Sequence, residues 1–588
     1  MLKRIIYLTN FLLIFAFTLS AQTINLKIVE TSDVHGAIFP YDLKNDKASN
    51  SSLAQVMTYL RKERSKPDQH VILLDNGDIL QGDPIVYYYN FEKTDTVHLY
   101  ADVMNYMKYN AGTVGNHDIE AGHDVYDKFI DELNFPWLAA NAVRTSDGKP
   151  YFKPYTMVEI GLLRIAVLGL ITPSIPNWLP EKIWEGIEFY DMIESAKKWL
   201  KEIKLREQPD MIIGLFHAGV DYTYAGQNAD SYKNENASKL VAEQVTGFDI
   251  IFVGHDHAGW NFTAKNPEGK SVLILGTLAG AQTVAVANLT LTFDKICELW
   301  SIDSIEGEII NIKNYSPDEE FMEQFSPALE DAKLYVNRKI GEFDKAVSSR
   351  DAIFGPSEFT DLVHNIQLEL TDADISFTAP LALNTQIKAG DVFVRDMFNL
   401  YRYENLLYTL SLKGQEIKDY LEYSCANWFN VMKDENDNLL KFKRDEDGNI
   451  QYSERTKSPE LEERFYNYES AAGINYTVDV SKPEGGRVTI SNLSDGRTFD
   501  FNSMYKVAVN SYRGNGGGGH LTRGAGIPQE KLADRILDST EKDLRYYMMH
   551  WIEKQGTITP EVINNWKVLP ESWWQKGKEK DYKIMFGR

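Results

Sequence analysis

Residues 71–78 read VILLDNGD, four aliphatic residues followed at once by two carboxylates, an amide and a glycine. A continuous aliphatic run of this kind predicts a strand that is buried on both faces. Polar residues directly after such a strand indicate a site at its carboxyl end, which is where α/β sheets bind their ligands. The stretch therefore predicts a layered α/β domain with a polar site at the strand ends.

The first half of the chain repeats this design four more times. The apolar run at 24–30 leads into DVH at 33–35, and a shorter run before residue 115 leads into GNHD at 115–118. The run at 211–216 leads into His217, and the run at 250–253 leads into GHDH at 254–257. Helical patterns at 51–64, 194–207 and 236–243 lie among these runs. Alternating strands and helices predict an α/β architecture, so the five polar strand ends can converge on one site.

The residue types at these strand ends indicate metal binding. One aspartate or histidine alone more often caps a turn, but five of the 11 histidines stand in these motifs. Carboxylate, imidazole and amide oxygen together suit zinc, manganese or iron, whereas magnesium and calcium prefer all-oxygen ligands. The set is large enough for two divalent ions that share one carboxylate, which is an arrangement used in phosphoryl hydrolysis.

The five motifs, in this order and rough spacing, resemble the blocks of the calcineurin-like metallophosphoesterases. The resemblance covers about the first 260 residues and implies a four-layer α/β/β/α domain over 22–335. It also implies the metal ligands: Asp33, His35 and His257 for one ion, Asn116, His217 and His255 for the other, and Asp78 bridging both.

The same resemblance implies a catalytic role for His117, which would stabilise the transition state or protonate the leaving oxygen. In many relatives an acidic residue orients this histidine. Two candidates stand nearby, Asp118 directly after it and Glu120 three positions later. The sequence leaves the choice between them open.

Residues 1–21 have a short basic start, a mostly apolar run and small residues at the end, which is the pattern of a cleaved secretory signal peptide. A retained membrane anchor is the alternative, although the run is short for a full span. We expect cleavage, no stable membrane insertion afterwards, and a location in the periplasm or at the cell surface. The two cysteines, Cys297 and Cys425, argue against a disulfide framework or a thiolate metal site.

The formal net charge of −23 argues against a nucleic acid polymer as partner, because polymer binding usually needs a basic surface. A small anionic substrate remains compatible with this charge, since bound metal ions supply local positive charge. We therefore expect a small-molecule substrate, which the second half of the chain (below) suggests is a nucleotide. We also expect the enzyme to be a monomer.

Beyond about residue 330 the metal motifs stop and the composition changes. We expect a linker at 336–350 and a second domain at 351–588. The amphipathic stretch 334–340 is predicted to be a helix that leads into the linker. This domain is predicted to have helices at 354–370 and 415–424 and strands at 373–377 and 408–412. The hydrophilic stretch 433–463 is predicted to be a solvated surface insertion.

Two segments of the second half combine aromatic residues with asparagine and glycine: NLYRYEN at 399–405, and VNSYRGN at 509–515 followed by four glycines. Such loops can stack on a flat base, although most of the 32 tyrosines are expected to be structural. The glycine run lacks the lysine and hydroxyl residue of a Walker-type phosphate loop. A flexible turn is its alternative interpretation.

From about 350 to 527 the second half resembles the C-terminal α/β substrate domain of the secreted 5'-nucleotidase family. The resemblance rests on IKAGD at 387–391, YEN at 403–405, LKG at 412–414 and the segment 512–519. It implies that Tyr403 and Tyr512 clamp the base and that Asn405 contacts the base or the ribose.

Departures from the 5'-nucleotidase pattern favour a neighbouring branch. In that family, arginines bind the phosphate and the sugar. The matching positions of this chain carry other residues: Leu383 or Asn384 at one place, and Ser357, Thr360 and His364 at the other. The paired tyrosines look closer to the 2',3'-cyclic-nucleotide 2'-phosphodiesterase/3'-nucleotidase branch. We therefore expect metal-assisted hydrolysis of cyclic and 3'-phosphates. A 5'-nucleotidase, a nucleotide-sugar hydrolase, a sulfur-compound hydrolase and a nucleotide-binding surface protein with a vestigial site are the alternatives.

Overall fold

The computed structural model describes residues 22–453 and 457–587, so the predicted signal peptide at 1–21 lies outside the described residues. The chain forms two compact units. The N-terminal unit comprises 22–175 and Glu181–Ala332, and the C-terminal unit comprises Pro176–Pro180 and the residues from Lys333 onward. No helix of the described ranges combines the length and apolarity needed to cross a bilayer.

Two six-stranded sheets form the centre of the N-terminal unit. The first has the strand order Leu299–Asn311, Thr283–Asp294, Gln22–Thr31, Gln69–Asp75, Ala111–Thr113, Trp137–Leu138. The second has the order Trp260–Lys265, Ser271–Gly276, Ile250–Val253, Met211–His217, Leu163–Ile171, Tyr155–Ile160. The middle strands of both sheets are parallel. Their carboxyl ends therefore bring the polar motifs that follow them to one edge of each sheet.

The two sheets face each other across a mostly aliphatic core. Ile28, Ile72 and Leu74 of the first sheet and Val167 and Ile213 of the second belong to one cluster of buried residues. A separate cluster covers the other face of the second sheet with the helices Met192–Arg206 and Ser238–Gln244. Helix Leu53–Arg64 contacts the strand Gln69–Asp75 of the first sheet. The predicted α/β/β/α fold class is confirmed.

The helices of this unit begin where their sequences supply caps. Ser52 accepts a hydrogen bond from the Gln55 amide, and Asp191 accepts from the amides of Ile193 and Glu194. All three predicted helices of this unit are present within two residues of their expected bounds. The α-helices of the unit are Leu53–Arg64, Pro84–Tyr87, Leu99–Met107, Asn116–Glu120, His123–Glu132, Met192–Arg206, Ser238–Gln244 and Glu319–Val336, the last of which continues into the C-terminal unit.

The C-terminal unit is built on a five-stranded sheet with the order Ser470–Ala472, Ile375–Thr378, Met504–Asn510, Leu407–Lys413, Ile536–Ser539. Two three-stranded sheets accompany it, Gly390–Phe393 with Lys339–Phe343 and Thr557–Ile558, and Val488–Leu493 with Ile474–Asp479 and Trp566–Leu569. Its α-helices are Glu358–Thr371, Val394–Leu400, Gly414–Trp428, Ser511–Gly514, Leu544–Gln555 and Glu571–Phe586. Its aromatic core includes Phe377, Tyr420 and Trp428.

Two segments differ from the sequence-based expectation. The helix predicted at 334–340 ends at Val336, and Lys339–Phe343, expected in the linker, forms a strand paired on both sides. The hydrophilic stretch 433–463 is not wholly solvated, because Leu439, Leu440 and Phe442 are buried in the core of the unit. Three apolar residues in a charged stretch were too few to reveal this burial by pattern alone.

Candidate functional site

The strand ends of the N-terminal unit bring the predicted metal ligands together. Ligand atoms of Asp33, His35, Asp78 and His257 lie within 4.8 Å of one another, and those of Asp78, His217 and His255 form a second group of the same kind. Asp78 belongs to both groups. Carboxylate and imidazole donors in two groups that share one carboxylate fit two divalent ions.

Asn116 lies beside the second group. Its side-chain oxygen is 3.1 Å from Nε2 of His217 and 2.8 Å from Nδ1 of His255. The Nε2 atom of His217 is also 3.2 Å from Oδ2 of Asp78. All seven predicted ligands therefore fall into one continuous cluster, and most of their side chains are buried.

Hydrogen bonds outside the cluster set the tautomers of two histidines. Nδ1 of His217 is 2.5 Å from the carbonyl oxygen of Asn76, and Nδ1 of His35 is 3.0 Å from the carbonyl oxygen of Gln81. A carbonyl can only accept, so Nδ1 carries a proton in each ring and Nε2 is the nitrogen that can bind a metal. Orientation through the second ring nitrogen is typical of metal-binding histidines.

The backbone at the cluster is strained. Asp33, His35, Asp78, His255 and His257 all have positive φ, between 48° and 78°. Residues with a Cβ atom adopt this region at a cost, and such conformations concentrate at functional sites. Gly115 permits the close approach of two loops, since a Cβ atom there would lie 2.2 Å from Oδ1 of Asp78.

The structure distinguishes the two acids near His117. Nδ1 of His117 is 2.5 Å from Oε2 of Glu120. The Asp118 carboxylate is fully buried and accepts hydrogen bonds from the backbone amides of Asp78, Ile79, Leu80 and Gly115. Glu120 therefore contacts the His117 ring, whereas Asp118 holds the turn that carries Asp78.

Electrostatics favour a protonated His117. Burial lowers its pKa, but the negative charges of Asp78 and Glu120 outweigh burial and raise the pKa to about 9. Burial lowers the pKa of His35 to about 3, against the opposing charge of Asp78. The two rings have centroids 5.5 Å apart. A charged imidazolium thus lies next to a neutral one, which suits an acid beside a metal ligand.

Sequence reasoning missed several residues that support the cluster. Oε1 of Glu235 lies 3.2 Å from Nε2 of His255, and the Ser32 hydroxyl donates to Oδ2 of Asp33 at 2.5 Å. Asp256, which stands between two ligands, accepts from the Trp260 indole and the Val220 amide instead. Ser32 and Asp256 lie within the motifs and so could have been suspected. Glu235 follows no strand, and nothing local indicates it.

In the C-terminal unit the two tyrosine segments meet at one end of the central sheet. Strands Leu407–Lys413 and Met504–Asn510 are antiparallel, with Leu407 opposite Asn510. The segment before the first strand and the segment after the second are joined by two hydrogen bonds, from the Ser511 amide to the Leu406 carbonyl and from the Leu406 amide to the Ser511 hydroxyl. Antiparallel pairing therefore brings the tyrosine segments together across more than 100 residues of sequence.

Tyr403 and Tyr512 are half-buried, and Asn405 is only 7% exposed. The Tyr512 ring packs over the glycine run, because a Cβ atom on Gly517 would lie 2.6 Å from two atoms of that ring. The glycine run therefore leaves room for the Tyr512 ring that a side chain at Gly517 would take. Arg513, which belongs to the second segment, and Arg545 are buried beneath these segments, and the sequence assigned neither of them a role.

A four-layer α/β/β/α domain with a carboxylate–histidine–amide cluster at its strand ends defines a metal-dependent phosphoesterase. The calcineurin-like phosphoesterase family model matches residues 26–259, and the model of the 5'-nucleotidase C-terminal domain matches 339–523. The chain belongs to the phosphoesterases that combine these two domains, and it is a metal-dependent phosphoester hydrolase.

Similar proteins align over nearly the whole chain. The trifunctional nucleotide phosphoesterase protein YfkN of Bacillus subtilis is 28% identical over 94% of this chain, which spans 39% of that longer protein. The 2',3'-cyclic-nucleotide 2'-phosphodiesterase/3'-nucleotidase of Yersinia enterocolitica is 25% identical over 97% of this chain and 92% of its own length. A solved structure of a candidate 5'-nucleotidase from Staphylococcus aureus has a TM-score of 0.73 at 24% identity, and covers 92% of this chain and 99% of its own.

Proposed function

We propose that the protein hydrolyses nucleotide phosphoesters, with 2',3'-cyclic nucleotides and 3'-nucleotides as its preferred substrates. The observation that carries this proposal is the Yersinia relative, which is named for both activities and aligns across both units of the chain. The name of the Bacillus relative also specifies nucleotide phosphoesters. Half-buried aromatic residues at the end of the C-terminal sheet offer suitable chemistry for a base.

In this proposal Asp33, His35 and His257 bind one divalent ion, Asn116, His217 and His255 bind the other, and Asp78 contacts both. The grouping of these side chains supports the division. Zinc, manganese or iron suits such mixed nitrogen and oxygen donors. When bound, two such ions activate water and neutralise charge on a phosphoryl group.

His117 acts on the substrate in this proposal. Its Nδ1 atom contacts Glu120, so Nε2 is the nitrogen that remains for the phosphoryl or leaving oxygen. The Glu120 carboxylate beside Nδ1 raises the pKa of the ring and so favours its protonated form. His117 would then donate the proton from Nε2 to the leaving ribose oxygen, while Glu120 stabilises the imidazolium and fixes the ring. Asp118, a catalytic candidate from the sequence, has a structural role in this scheme.

Tyr403 and Tyr512 stack on the base in this proposal, and Asn405 hydrogen-bonds the base or the ribose. Stacking of one base on an aromatic ring is worth about 1–3 kcal/mol and tolerates several bases. We also propose that residues 1–21 are a cleaved export signal, that the enzyme works as a monomer in the periplasm or at the cell surface, and that its substrates are mononucleotides rather than nucleic acid polymers.

Hydrolysis of 2',3'-cyclic AMP, 3'-AMP and 5'-AMP by the purified protein, with manganese or zinc added, tests the proposed function. We expect kcat/KM for the cyclic and 3' substrates to exceed that for 5'-AMP at least about tenfold, which corresponds to 1.36 kcal/mol of transition-state binding. The reverse order would identify a 5'-nucleotidase. Nucleotide binding with no turnover of any of the three would identify a binding protein with a vestigial site.

A further inference from the structure

The short turn Phe465–Asn467 brings a third tyrosine to the base-binding end of the C-terminal unit. The Tyr466 ring lies edge-on to the Tyr403 ring, with centroids 6.2 Å apart and an interplanar angle of 77°. Its side chain is half-buried. Perpendicular aromatic pairs at this distance attract each other and restrict the orientation of both rings.

A buried arginine connects this turn to the segment that carries Tyr512. Arg513 is 1% exposed, and its Nη2 atom donates to the Tyr466 carbonyl at 3.1 Å. Its Nη1 atom donates to Oδ1 of Asn467 at 3.3 Å, and its Nε atom pairs with Glu469 at 2.9 Å. Arg513 directly follows Tyr512, so its side chain connects the Tyr512 segment to the backbone of Tyr466.

Further contacts hold the same assembly from other sides. Nε2 of His520 lies 3.0 Å from the Asn467 carbonyl, and the guanidinium of Arg513 donates to the Gly517 carbonyl beneath Tyr512. The Glu469 backbone exchanges two hydrogen bonds with the Ser424 hydroxyl on helix Gly414–Trp428. Buried polar networks of this kind favour a single arrangement of the loops they join.

We propose that Tyr466 is a third aromatic residue of the base site and a determinant of base specificity, with Arg513 and Asn467 as positioning residues. The inference rests on the proposed function. Tyr403 provides a face for stacking, and the nearly perpendicular Tyr466 ring adds a second aromatic surface beside it. A bicyclic purine reaches further across such a surface than a monocyclic pyrimidine does. Tyr466 therefore selects for purine nucleotides.

Steady-state kinetics of the full protein with three substrates test this inference. The substrates are 2',3'-cyclic AMP, 2',3'-cyclic UMP and bis(p-nitrophenyl) phosphate, which carries no base. We expect Tyr466→Ala to raise KM for cyclic AMP about two- to tenfold relative to KM for the base-free ester, with kcat for cyclic AMP changed less than twofold. The rise in KM for cyclic UMP should be smaller.

Three further variants separate recognition from a general structural effect. Tyr452→Ala removes an exposed tyrosine of the 433–463 stretch and should leave all three KM values and the melting temperature unchanged. Tyr466→Phe should keep most of the wild-type preference, because the aromatic edge remains. Asn467→Ala, which removes the side-chain acceptor of Arg513 on this turn and leaves the Tyr466 carbonyl, should shift the ratio of KM values in the same direction as Tyr466→Ala.

The outcomes distinguish failure of this inference from failure of the proposed function. An unchanged ratio of KM values in Tyr466→Ala, with cyclic AMP still hydrolysed, overturns the role of Tyr466 alone. Equal rises in KM for all three substrates, together with a lower melting temperature, also overturn it, because the residue would then be structural. A wild-type enzyme that hydrolyses the base-free ester but no nucleotide overturns both proposals.

Discussion

The two units place their functional groups by different means. In the N-terminal unit, short polar side chains stand directly after parallel strands, and a strained backbone aims them at one another. In the C-terminal unit, half-buried aromatic residues rest on loops that buried arginines hold from below. The first design depends on strand topology and the second on a polar network. Mutations should therefore affect catalysis in one unit and loop order in the other.

The largest effect is expected for Asp78→Asn. Asp78 is the carboxylate common to both ligand groups, so its loss should lower kcat about 10³-fold or more, because bound ions supply several kcal/mol of transition-state stabilisation. Activity assays together with metal analysis of the purified variant check this. Asp303→Asn, at an exposed strand position of the same unit, should retain wild-type turnover and metal content. Wild-type turnover in Asp78→Asn would break the assignment of a shared ligand.

Arg513→Met should act on stability in the other unit. It removes one partner of a buried ion pair and leaves Glu469 uncompensated, which costs about 3–5 kcal/mol. Chemical unfolding should show a lower free energy of unfolding for the C-terminal unit, and KM for nucleotides should rise. Arg523→Met changes an exposed arginine of the same region, and its free energy of unfolding should lie within about 1 kcal/mol of the wild-type value. Equal stability of the two variants would contradict the anchoring role of Arg513.

A pair of neighbouring acids sharpens the comparison within the catalytic unit. Glu120→Gln should lower kcat about tenfold or more at unchanged stability, since it weakens the orientation of His117. Asp118→Asn should instead lower stability by about 2–3 kcal/mol, because its buried carboxylate accepts several backbone amides. Kinetics and thermal unfolding of both variants check the division. A kinetic defect without destabilisation in Asp118→Asn would reverse the two roles.

Tyr512→Ala tests whether the C-terminal unit acts in binding rather than in chemistry. Loss of one stacking ring should raise KM for nucleotides about 5- to 100-fold, with kcat changed little, as expected for about 1–3 kcal/mol of stacking energy. Initial-rate measurements with 2',3'-cyclic AMP separate the two parameters. A fall in kcat with KM unchanged would assign Tyr512 to the reaction itself.

The smallest effect is expected for Gly517→Ala. The added Cβ atom would lie 2.6 Å from the Tyr512 ring and from the Tyr512 carbonyl oxygen, so the ring and the local backbone must shift and KM should rise about two- to fivefold. Gly486→Ala is a matched control, because its Cβ atom would contact only the Pro483 carbonyl oxygen, at 3.8 Å. If both variants bind nucleotides like the wild type, the glycine run does not determine the position of Tyr512.

The sequence by itself determined the fold class and the residues that come together in the candidate metal site. Each ligand stands within a few residues of a strand end, and parallel strands carry such positions to a common edge whatever the remaining details of the fold. The local sequence pattern was therefore sufficient to predict that Asp33, Asp78 and His217 lie at one site.

Only the tertiary structure decided which acid contacts His117, because Asp118 and Glu120 are both close in sequence and differ in direction. It alone brought Glu235 to His255 and Tyr466 to Tyr403, across 20 and 63 residues. It also showed buried apolar residues in the stretch expected to be solvated, and a strand in the expected linker. Hydrogen bonds and ring contacts between distant segments depend on packing, and no local period or spacing encodes them.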